Sequence, residues 1–275
     1  MKDVQNLPPD QSIKIDKVGI KGLRYPIVVL DRKNQRQHTV AEVSMFVELP
    51  ENFKGTHMSR FVEILNENWK DIQVKKIKKI LKVMKERLNA SASHMVISFP
   101  YFLEKQAPVT GTPSLLSYDV TIYGSSYPDL DDFIYKVEVP VTSLCPCSKE
   151  ISDYGAHNQR SVISLSVRTS SFVWLEELIR IAETSASCEL FTLLKREDEK
   201  YVTEYAYDHP MFVEDIVREV SAKCEKDTRI IWYAVSSENF ESIHNHNAFA
   251  YIERWKDEEK RKTLEPYLHG HILQV

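Results

Sequence analysis

Apolar and polar residues alternate along the first part of the chain with the period of two that is typical of β-strands. Residues 18–30 have strand character, the alternation extends over much of residues 37–49, and the charged segment at residues 31–34 between them predicts a hairpin. Two more segments with strand character lie at residues 93–103 and 114–123. This part of the chain therefore predicts two pairs of strands.

Between the two pairs of strands, the apolar residues recur with the period of an α-helix. Thr56 and Ser59 supply N-cap side chains ahead of a helix predicted over residues 61–69. A second helix is predicted from an apolar stripe formed by Val74, Ile77, Ile80, Leu81 and Met84. The many lysines of this second helix favour a solvated face, and phosphate binding is the lesser interpretation.

The same order of elements begins again after residues 124–129, which form the clearest linker in the chain. The second set is predicted as strands over 133–141, 161–169, 230–235 and 249–255 and helices over 174–186 and 212–226. Two runs of strand-strand-helix-helix-strand-strand predict an internal repeat, with an N-terminal module at residues 1–127 and a C-terminal module at residues 128–275. Each module would be an antiparallel sheet with two helices on one face, an α+β arrangement.

The composition is that of an ordinary soluble globular protein, with 43% hydrophobic and 28% charged residues among 275. A net charge of -4 gives no long-range attraction to nucleic acid or to an anionic membrane. No segment approaches the ~20 apolar residues of a membrane span, and the start of the chain lacks the apolar run of a signal peptide. The four cysteines are too sparse for a disulfide framework. We therefore expect a cytoplasmic protein with reduced thiols that binds neither nucleic acid nor membrane.

A polar segment at residues 140–161 lies between two strand-like stretches and is a poor candidate for core. Cys145 and Cys147 flank Pro146, and their close spacing would strain a disulfide between them. Cys145 and His157 lie at the two ends of a connection between strands, so the fold could bring them together. Thiolate and imidazole together suit a divalent transition metal. The alternative is one buried thiol and one incidental thiol.

Three further places offer candidate site residues. His244 and His246, two positions apart on an extended segment, would share one face and reach one cavity. A polar hairpin without a ligand is an equal alternative for that pair. The charged run at residues 195–204, which contains Glu199, is typical of a solvated connector between helices. Glu214 lies in the first turn of the last predicted helix, where compensation of the helix dipole alone accounts for an acid.

The sequence Pro-Val-Thr-Ser-Leu-Cys-Pro-Cys-Ser-Lys-Glu-Ile-Ser at 140–152, with Tyr-Gly-Ala-His-Asn-Gln-Arg-Ser at 154–161, closely resembles the type IB GTP cyclohydrolases of prokaryotes. The resemblance covers both halves of the chain. It is also carried by residues 56–61, 194–196, 201–204, 212–215 and 242–248. The resemblance implies the tunnelling fold, in which two tandem ββααββ modules each form a four-stranded antiparallel sheet with two helices. It also implies a homotetramer whose active sites lie at subunit interfaces.

Members of that family convert GTP to 7,8-dihydroneopterin triphosphate and formate, the entry step to folate or other pterins. The reaction needs a divalent metal that makes water nucleophilic towards carbon 8 of the purine. It also needs acids and bases that assist opening and reclosure of the ring. The resemblance therefore implies GTP as the substrate and one zinc, manganese or iron ion in each active site.

The resemblance also assigns roles at the metal site. Cys145 and His157 are the principal metal ligands, and Glu199 is a further, exchangeable ligand. His244 and His246 line the same site. One of them is a metal ligand or orients water, and the other is a proton shuttle. We assign the first role to His244.

Substrate contacts are implied in the same way. Glu214 matches the guanine anchor of the family, because a carboxylate can accept two parallel hydrogen bonds from the ring N–H and the exocyclic amine. Adenine cannot supply that pair of donors and would leave the carboxylate unpaired. Cys147 would touch the substrate or the metal. The cations for the triphosphate would be Arg60, Lys149 and Arg160.

Two alternative functions are open at this point. The related nitrile reductase of queuosine synthesis shares the fold but uses a cysteine nucleophile with NADPH, and the pairing of Cys145 with His157 argues against it. A non-catalytic metal-binding module would instead hold a closed site with four protein ligands. An archaeal-like variant of the cyclohydrolase family makes a cyclic phosphate, which analysis of the product would distinguish.

Overall fold

Contacts between residues divide the chain into two compact units that are interleaved in sequence. The computed structural model of the protein describes residues 5, 7–68 and 74–270. The first unit comprises Met1–Pro100, Thr121–Ile134 and Lys262–Val275, and the second comprises Tyr101–Val120 and Tyr135–Arg261. The boundary between two tandem modules at residues 127 and 128 stays a prediction.

The first unit begins with a long β-hairpin, as the alternating pattern predicts. β1 (Ile15–Asp31) pairs antiparallel with β2 (Gln35–Leu49). In the turn, Asp31 Oδ1 accepts hydrogen bonds from the backbone N–H groups of Lys33 and Asn34 at 2.8 and 2.6 Å. A short acidic side chain at the start of a turn favours this closure.

Two helices and part of a second hairpin complete the first unit. These elements are α1 (Met58–Asn68), α2 (Val74–Leu88), β3 (Ser93–Gln106) and β4 (Pro113–Ser126). The apolar stripe that the sequence predicts for α2 is buried at Ile77, Ile80, Leu81 and Met84. Trp69, at the end of the first predicted helix, lies outside the described residues.

The segment predicted as a linker is a strand end followed by a tight turn. Residues 124–126 belong to β4, and Tyr127 N then donates to Leu130 O at 2.8 Å. A Cβ atom on Gly124 would lie 3.0 Å from Ile77 Cγ2. Glycine therefore lets β4 approach α2 closely.

The second unit contains a sheet of antiparallel strands. Its strands are β5 (Asp131–Leu144), β6 (Asn158–Thr169), β7 (Cys188–Glu189), β8 (Ile230–Asn239) and β9 (Ala248–Trp255). The order in the sheet is β5-β6-β8-β9, and β7 pairs with β5. The four long strands were predicted from the sequence, whereas β7 has only two residues and was not.

Further helices belong to the second unit. They are α3 (Pro146–Ile151), α4 (Leu175–Glu183), α5 (Arg196–Asp208) and α6 (Val213–Lys226), and α7 (Glu258–Leu264) with a 3-10 helix (Glu265–Gly270) ends the described chain. The core of the unit is formed by buried apolar side chains that include Val139, Ile163, Leu165, Leu178, Ile179, Ile216, Val220 and Val235. None of the described helices is long and apolar enough to cross a membrane.

Two helices occupy sequence that we predicted to be irregular. α5 coincides with the charged run at 195–204, so the prediction of a solvated connector is wrong. Only Asp198 and Ala206 are buried on this helix, which leaves no apolar stripe for a sequence pattern to reveal. α3 likewise begins inside the polar segment and buries none of its residues.

Candidate active site

The polar segment after β5 forms a tight turn in which Cys145 and His157 are neighbours. Cys145 is the N-cap of α3, and its Sγ accepts from Ser148 N at 3.4 Å. Pro146 takes the first helical position, where an N–H group is not needed. Cys145 N donates to His157 O at 3.1 Å, while Ser148 Oγ donates to Cys145 O at 3.1 Å and accepts from His157 N at 3.2 Å. The main chains of the two principal predicted ligands are therefore joined directly and through one serine.

The imidazole of His157 has a defined orientation. Its Nδ1 lies 3.0 Å from Gln159 Oε1 and 4.0 Å from Glu241 Oε2. Because both partner oxygens are acceptors, this arrangement favours the tautomer with a proton on Nδ1, which leaves Nε2 as the nitrogen available to a metal. The side chains of His157 and Glu241 are 14% and 12% exposed, so this contact is largely shielded from water.

Gln159 is held in turn by a buried polar network. Its Nε2 lies 3.5 Å from Ser143 Oγ, which also accepts from Asn239 Nδ2 at 3.2 Å. The same hydroxyl donates to Met211 O at 3.0 Å. The network joins the ends of β5 and β8 to the start of β6 and to the segment before α6, and it fixes the side chain that orients His157.

Sequence reasoning missed two of these residues, Gln159 and Glu241. A signal for Gln159 existed, because it lies two positions after His157 and this spacing predicts a shared face on an extended chain. Glu241 lies shortly before the predicted histidine pair, but nothing in the sequence distinguishes it from the many other acids.

His244 and His246 lie side by side in the connection between β8 and β9. Their ring centroids are 5.2 Å apart, and the rings are close to parallel with an angle of 20°. The two rings are therefore neighbours, although the segment that carries them is a series of bends and not the extended stretch that the sequence predicts. Both side chains are exposed.

The two predicted site acids each lie in the first turn of a helix. Glu199 is on α5 and Glu214 is on α6, and both side chains are exposed. In each helix the third residue, Asp198 or Asp215, accepts from the N–H of the N-cap residue at 2.9 or 3.2 Å. The same capping arrangement therefore begins both helices, and it leaves the site acids on the outer side.

The predicted triphosphate ligands have different surroundings. Lys149 Nζ donates to Tyr207 O and lies 4.2 Å from the centroid of the Tyr207 ring. Arg160 is exposed on β6. Arg60 belongs to the first unit, where its guanidinium donates to Arg87 O at 3.1 Å. Lys149 is thus engaged within its own unit, whereas the side chain of Arg160 faces solvent.

The chemistry of the predicted donor set fits a divalent metal. Cys145 offers a thiolate, His157 an imidazole nitrogen and Glu199 a carboxylate, a mixture that zinc, manganese and iron all accept. Among the residues that the structure describes, no group of three or more His, Cys, Asp and Glu side chains is close enough to hold a metal ion. The chain brings Cys145 and His157 together but does not gather Glu199 or His244 with them into one cluster. Cys147 is an exposed free thiol next to this pair.

Known structures identify the fold. A uricase from Arthrobacter globiformis matches with a TM-score of 0.56 and 8% identity, over 88% of this chain and 94% of that chain. A uricase from Bacillus fastidious matches with a TM-score of 0.56 and 6% identity, over 93% and 96% of the two chains. At these identities the likeness concerns the fold alone. It confirms the predicted α+β architecture, the tunnelling fold.

Relatives of much higher identity show the family. A family model described as Type I GTP cyclohydrolase folE2 matches residues 1–250. The GTP cyclohydrolase FolE2 of Nitrosomonas eutropha is 59% identical over 255 residues, which cover 92% of this chain and 96% of that relative. The GTP cyclohydrolase FolE2 of Methylobacillus flagellatus is 57% identical over 256 residues, which cover 93% and 96%. The chain therefore belongs to the type I GTP cyclohydrolase FolE2 family.

Proposed function

We propose that the protein is an enzyme that hydrolyses GTP to 7,8-dihydroneopterin triphosphate and formate, the first step towards tetrahydrofolate and other pterins. The relatives named GTP cyclohydrolase FolE2 support the substrate and the reaction. The structural observation that carries the proposal is the hydrogen bond from Cys145 N to His157 O, which joins the main chains of the two principal predicted ligands. Membership of the type IB group within the family is part of the same proposal.

One divalent metal ion in each active site would be held by Cys145, His157 and Glu199, with His244 as a further ligand. Such an ion, when bound, supplies the Lewis acidity that activates water near neutral pH. Zinc is the default for Cys and His ligands, and the carboxylate of Glu199 relaxes that preference towards manganese or iron. Gln159 keeps the proton of His157 on Nδ1, which presents Nε2 as the ligand atom.

The remaining steps need a group that moves protons. His246 suits this task, because imidazole gains and loses protons near neutral pH. It would take a proton from the attacking water and donate a proton to the departing ring nitrogen. Cys147 would lie against the substrate beside it.

Guanine recognition is proposed for Glu214. Its carboxylate, exposed in the first turn of α6, can accept from the ring N–H and the exocyclic amine of guanine together. The triphosphate would be bound by Arg60, Lys149 and Arg160. Lys149 would exchange its bond to Tyr207 O for a bond to a phosphate oxygen.

We also propose a cytoplasmic homotetramer with active sites at its subunit interfaces. β9 ends the strand order of the second unit, and it exposes 64% of Phe249 and 54% of Tyr251. Ile243, next to the histidine pair, is 64% exposed as well. An edge strand with exposed aromatic side chains is a surface suited to association with another subunit. A cytoplasmic location keeps the thiol ligand reduced.

Release of formate from GTP tests the proposed reaction. Protein that has been chelated and then reloaded with zinc or manganese should produce formate together with a pterin that fluoresces after oxidation. Cys145→Ala should abolish both products, whereas Cys188→Ala, which removes a buried thiol outside the predicted set, should retain them. If reloaded wild-type protein releases no formate, the proposed function is wrong.

A further inference from the structure

A buried carboxylate lies next to one of the proposed metal ligands. Asp198 is 0% exposed, although Glu199 directly after it is exposed. Asp198 Oδ1 accepts from Val109 N and from Thr110 N, both at 2.9 Å. Asp198 Oδ2 accepts from Thr110 Oγ1 at 2.8 Å and from Lys195 N at 2.9 Å. Three of these four donors belong to the connection between β3 and β4, and the fourth is the N-cap residue of α5.

The connection between β3 and β4 is shaped to receive an anion. Ala107 N donates to Thr112 O, and Gly111 N donates to Ala107 O, both at 3.0 Å. Gly111 has a φ of +66°, in the left-handed region that glycine adopts at little cost. This closed turn directs two consecutive backbone N–H groups towards one point, as in other anion-binding turns. The carboxylate of Asp198 occupies that point.

Few other groups hold α5 to the rest of its unit. Asp198 and Ala206 are the buried residues of the helix, and an alanine side chain contributes little apolar area. Glu199 shares the first turn with Asp198, since Glu199 N donates to Lys195 O at 2.9 Å. The placement of the first turn, and of the Glu199 main chain with it, therefore depends on the bonds that Asp198 accepts.

We infer that Asp198 is a positioning residue for the metal site, which fixes the carboxylate of Glu199 by anchoring the first turn of α5 to the tip of the β3–β4 hairpin. The inference rests on the proposed function, because it takes Glu199 to be a metal ligand. Both carboxylate oxygens of Asp198 accept from protein donors, so Asp198 acts through Glu199 and not as a ligand. Replacing a residue that orients a metal ligand without binding the metal typically weakens metal affinity by roughly 10- to 100-fold.

Asp198→Asn in the full-length protein breaks this anchor with the smallest change of shape. The amide oxygen of the asparagine can still accept hydrogen bonds from the hairpin. Its NH₂ group, however, takes the place of Oδ2 and faces the N–H of Lys195, so two donors meet and that hydrogen bond is lost. Asp215→Asn is the matched control, because Asp215 is the corresponding capping residue of α6 and directly follows Glu214.

The primary readout is the Mn²⁺ affinity of metal-free protein, followed by electron paramagnetic resonance. We expect Asp198→Asn to weaken Mn²⁺ binding roughly 10- to 100-fold and Asp215→Asn to change it within about twofold. Saturating Mn²⁺ should restore kcat of the Asp198→Asn protein, with the KM for GTP unchanged. A substitution that only destabilised the fold would not be rescued by metal in this way.

Amide hydrogen exchange provides a second readout. In the Asp198→Asn protein, the amides of Val109 and Thr110 should exchange faster, because they lose a charged acceptor. Faster exchange with an unchanged Mn²⁺ affinity would overturn the inference, since the anchor would then be structural only. If Asp198→Asn does not fold, Thr110→Val decides the matter, because it removes one hydroxyl donor and keeps the backbone bonds. Wild-type Mn²⁺ affinity in folded Thr110→Val protein would then overturn the inference.

The failure of this inference can be distinguished from failure of the proposed function. If wild-type protein neither binds Mn²⁺ nor releases formate from GTP, the proposed function is wrong whatever the variants do. If wild-type protein does both and the Asp198 and Thr110 variants bind Mn²⁺ as it does, only the positioning role is wrong.

Discussion

Helices α5 and α6 each place a proposed site acid in the first turn, but different forces hold them. α6, which carries Glu214, buries six residues, and Ile216 among them is fully buried. α5, which carries Glu199, buries two residues, and one of those is the carboxylate of Asp198. Apolar packing therefore stabilises the position of α6, whereas hydrogen bonds to one acid stabilise the position of α5.

The difference matters because the two kinds of force control geometry differently. Apolar burial is non-directional and is proportional to the area removed from water. Hydrogen bonds to a carboxylate fix distance and direction together. Burial alone would raise the pKa of Asp198, but hydrogen bonds from Thr110 and Lys195 lower that pKa to about 2, so the acceptor is charged at neutral pH. A directional anchor suits the helix that carries a proposed metal ligand, because coordination tolerates little misplacement.

The largest effect is expected at the hairpin to which α5 is anchored. Lys105 Nζ lies 2.6 Å from Glu183 Oε1 and 2.5 Å from Glu189 Oε2, and the side chains of Lys105 and Glu183 are 9% and 6% exposed. Lys105→Met removes the cation that the buried carboxylate of Glu183 and the half-buried carboxylate of Glu189 share. We expect the free energy of unfolding, measured in urea, to fall by about 3–5 kcal/mol.

Lys200→Met is the control for the lysine substitution. Lys200 Nζ lies 3.8 Å from Glu204 Oε1 on the surface of α5, with side chains 74% and 65% exposed. Its loss should change the free energy of unfolding by less than about 1 kcal/mol. Equal effects of the two substitutions would show that the hairpin does not depend on the buried pair.

A pair of substitutions inside the helices sharpens the comparison. Ile216→Ala should lower the free energy of unfolding by about 2–5 kcal/mol, because it opens a cavity between α6 and the sheet. Ala206→Gly on α5 should lower the free energy of unfolding by about 1 kcal/mol, which is the difference in helix propensity between alanine and glycine. Denaturant titrations of the two variants measure both values. A larger loss for Ala206→Gly than for Ile216→Ala would contradict the assignment of packing to α6.

The two site acids should differ in the constant that they control. Glu214→Gln should raise the KM for GTP by roughly 10- to 100-fold, because hydrogen bonds to a charged group contribute about 1.5–3 kcal/mol. Its affinity for Mn²⁺ should stay that of the wild type. Glu199→Gln should do the reverse, with weaker Mn²⁺ binding and little change in KM. Steady-state kinetics at saturating metal, combined with metal titration, separate the two patterns.

The smallest expected effect is a pH dependence at the end of α6. The Arg229 guanidinium, hydrogen-bonded to Asp227, holds the pKa of that carboxyl below its usual value. A pKa that is lower in the folded state gives stability that is present above the unfolded pKa, and that is lost as the pH falls through the folded pKa. Asp227→Asn should therefore lower the melting temperature at pH 7 and have less effect at about pH 3. A constant difference in melting temperature across this range would exclude the ion pair as its cause.

The same contrast explains which elements could be predicted from the sequence. β2, α2 and α6 bury regular apolar stripes, and local periodicity reveals such stripes. α5 was mistaken for a loop because its anchor on the hairpin is Thr110, 88 positions before Asp198. A contact at that separation leaves no local pattern.

The candidate site divides in a similar way. Cys145 and His157 could be proposed as partners because they flank one short connection between strands. The orientation of His157 depends on Gln159 and Glu241, and Glu241 comes from a distant part of the sequence. The roles of Glu199 and Glu214 came from family resemblance, since acids in a first helical turn need no ligand to explain them.

The most direct test of the proposed metal-dependent hydrolysis is a metal titration of chelated wild-type protein, with metal content, formate and pterin measured on one preparation. We predict no turnover of GTP before metal is added, and activity that rises in proportion to bound metal up to one ion per chain. Formate and pterin should appear in equal amounts, and Cys145→Ala protein should neither retain the metal nor form either product. Full turnover by protein shown to be free of metal, or metal-loaded protein that releases no formate, would contradict the account.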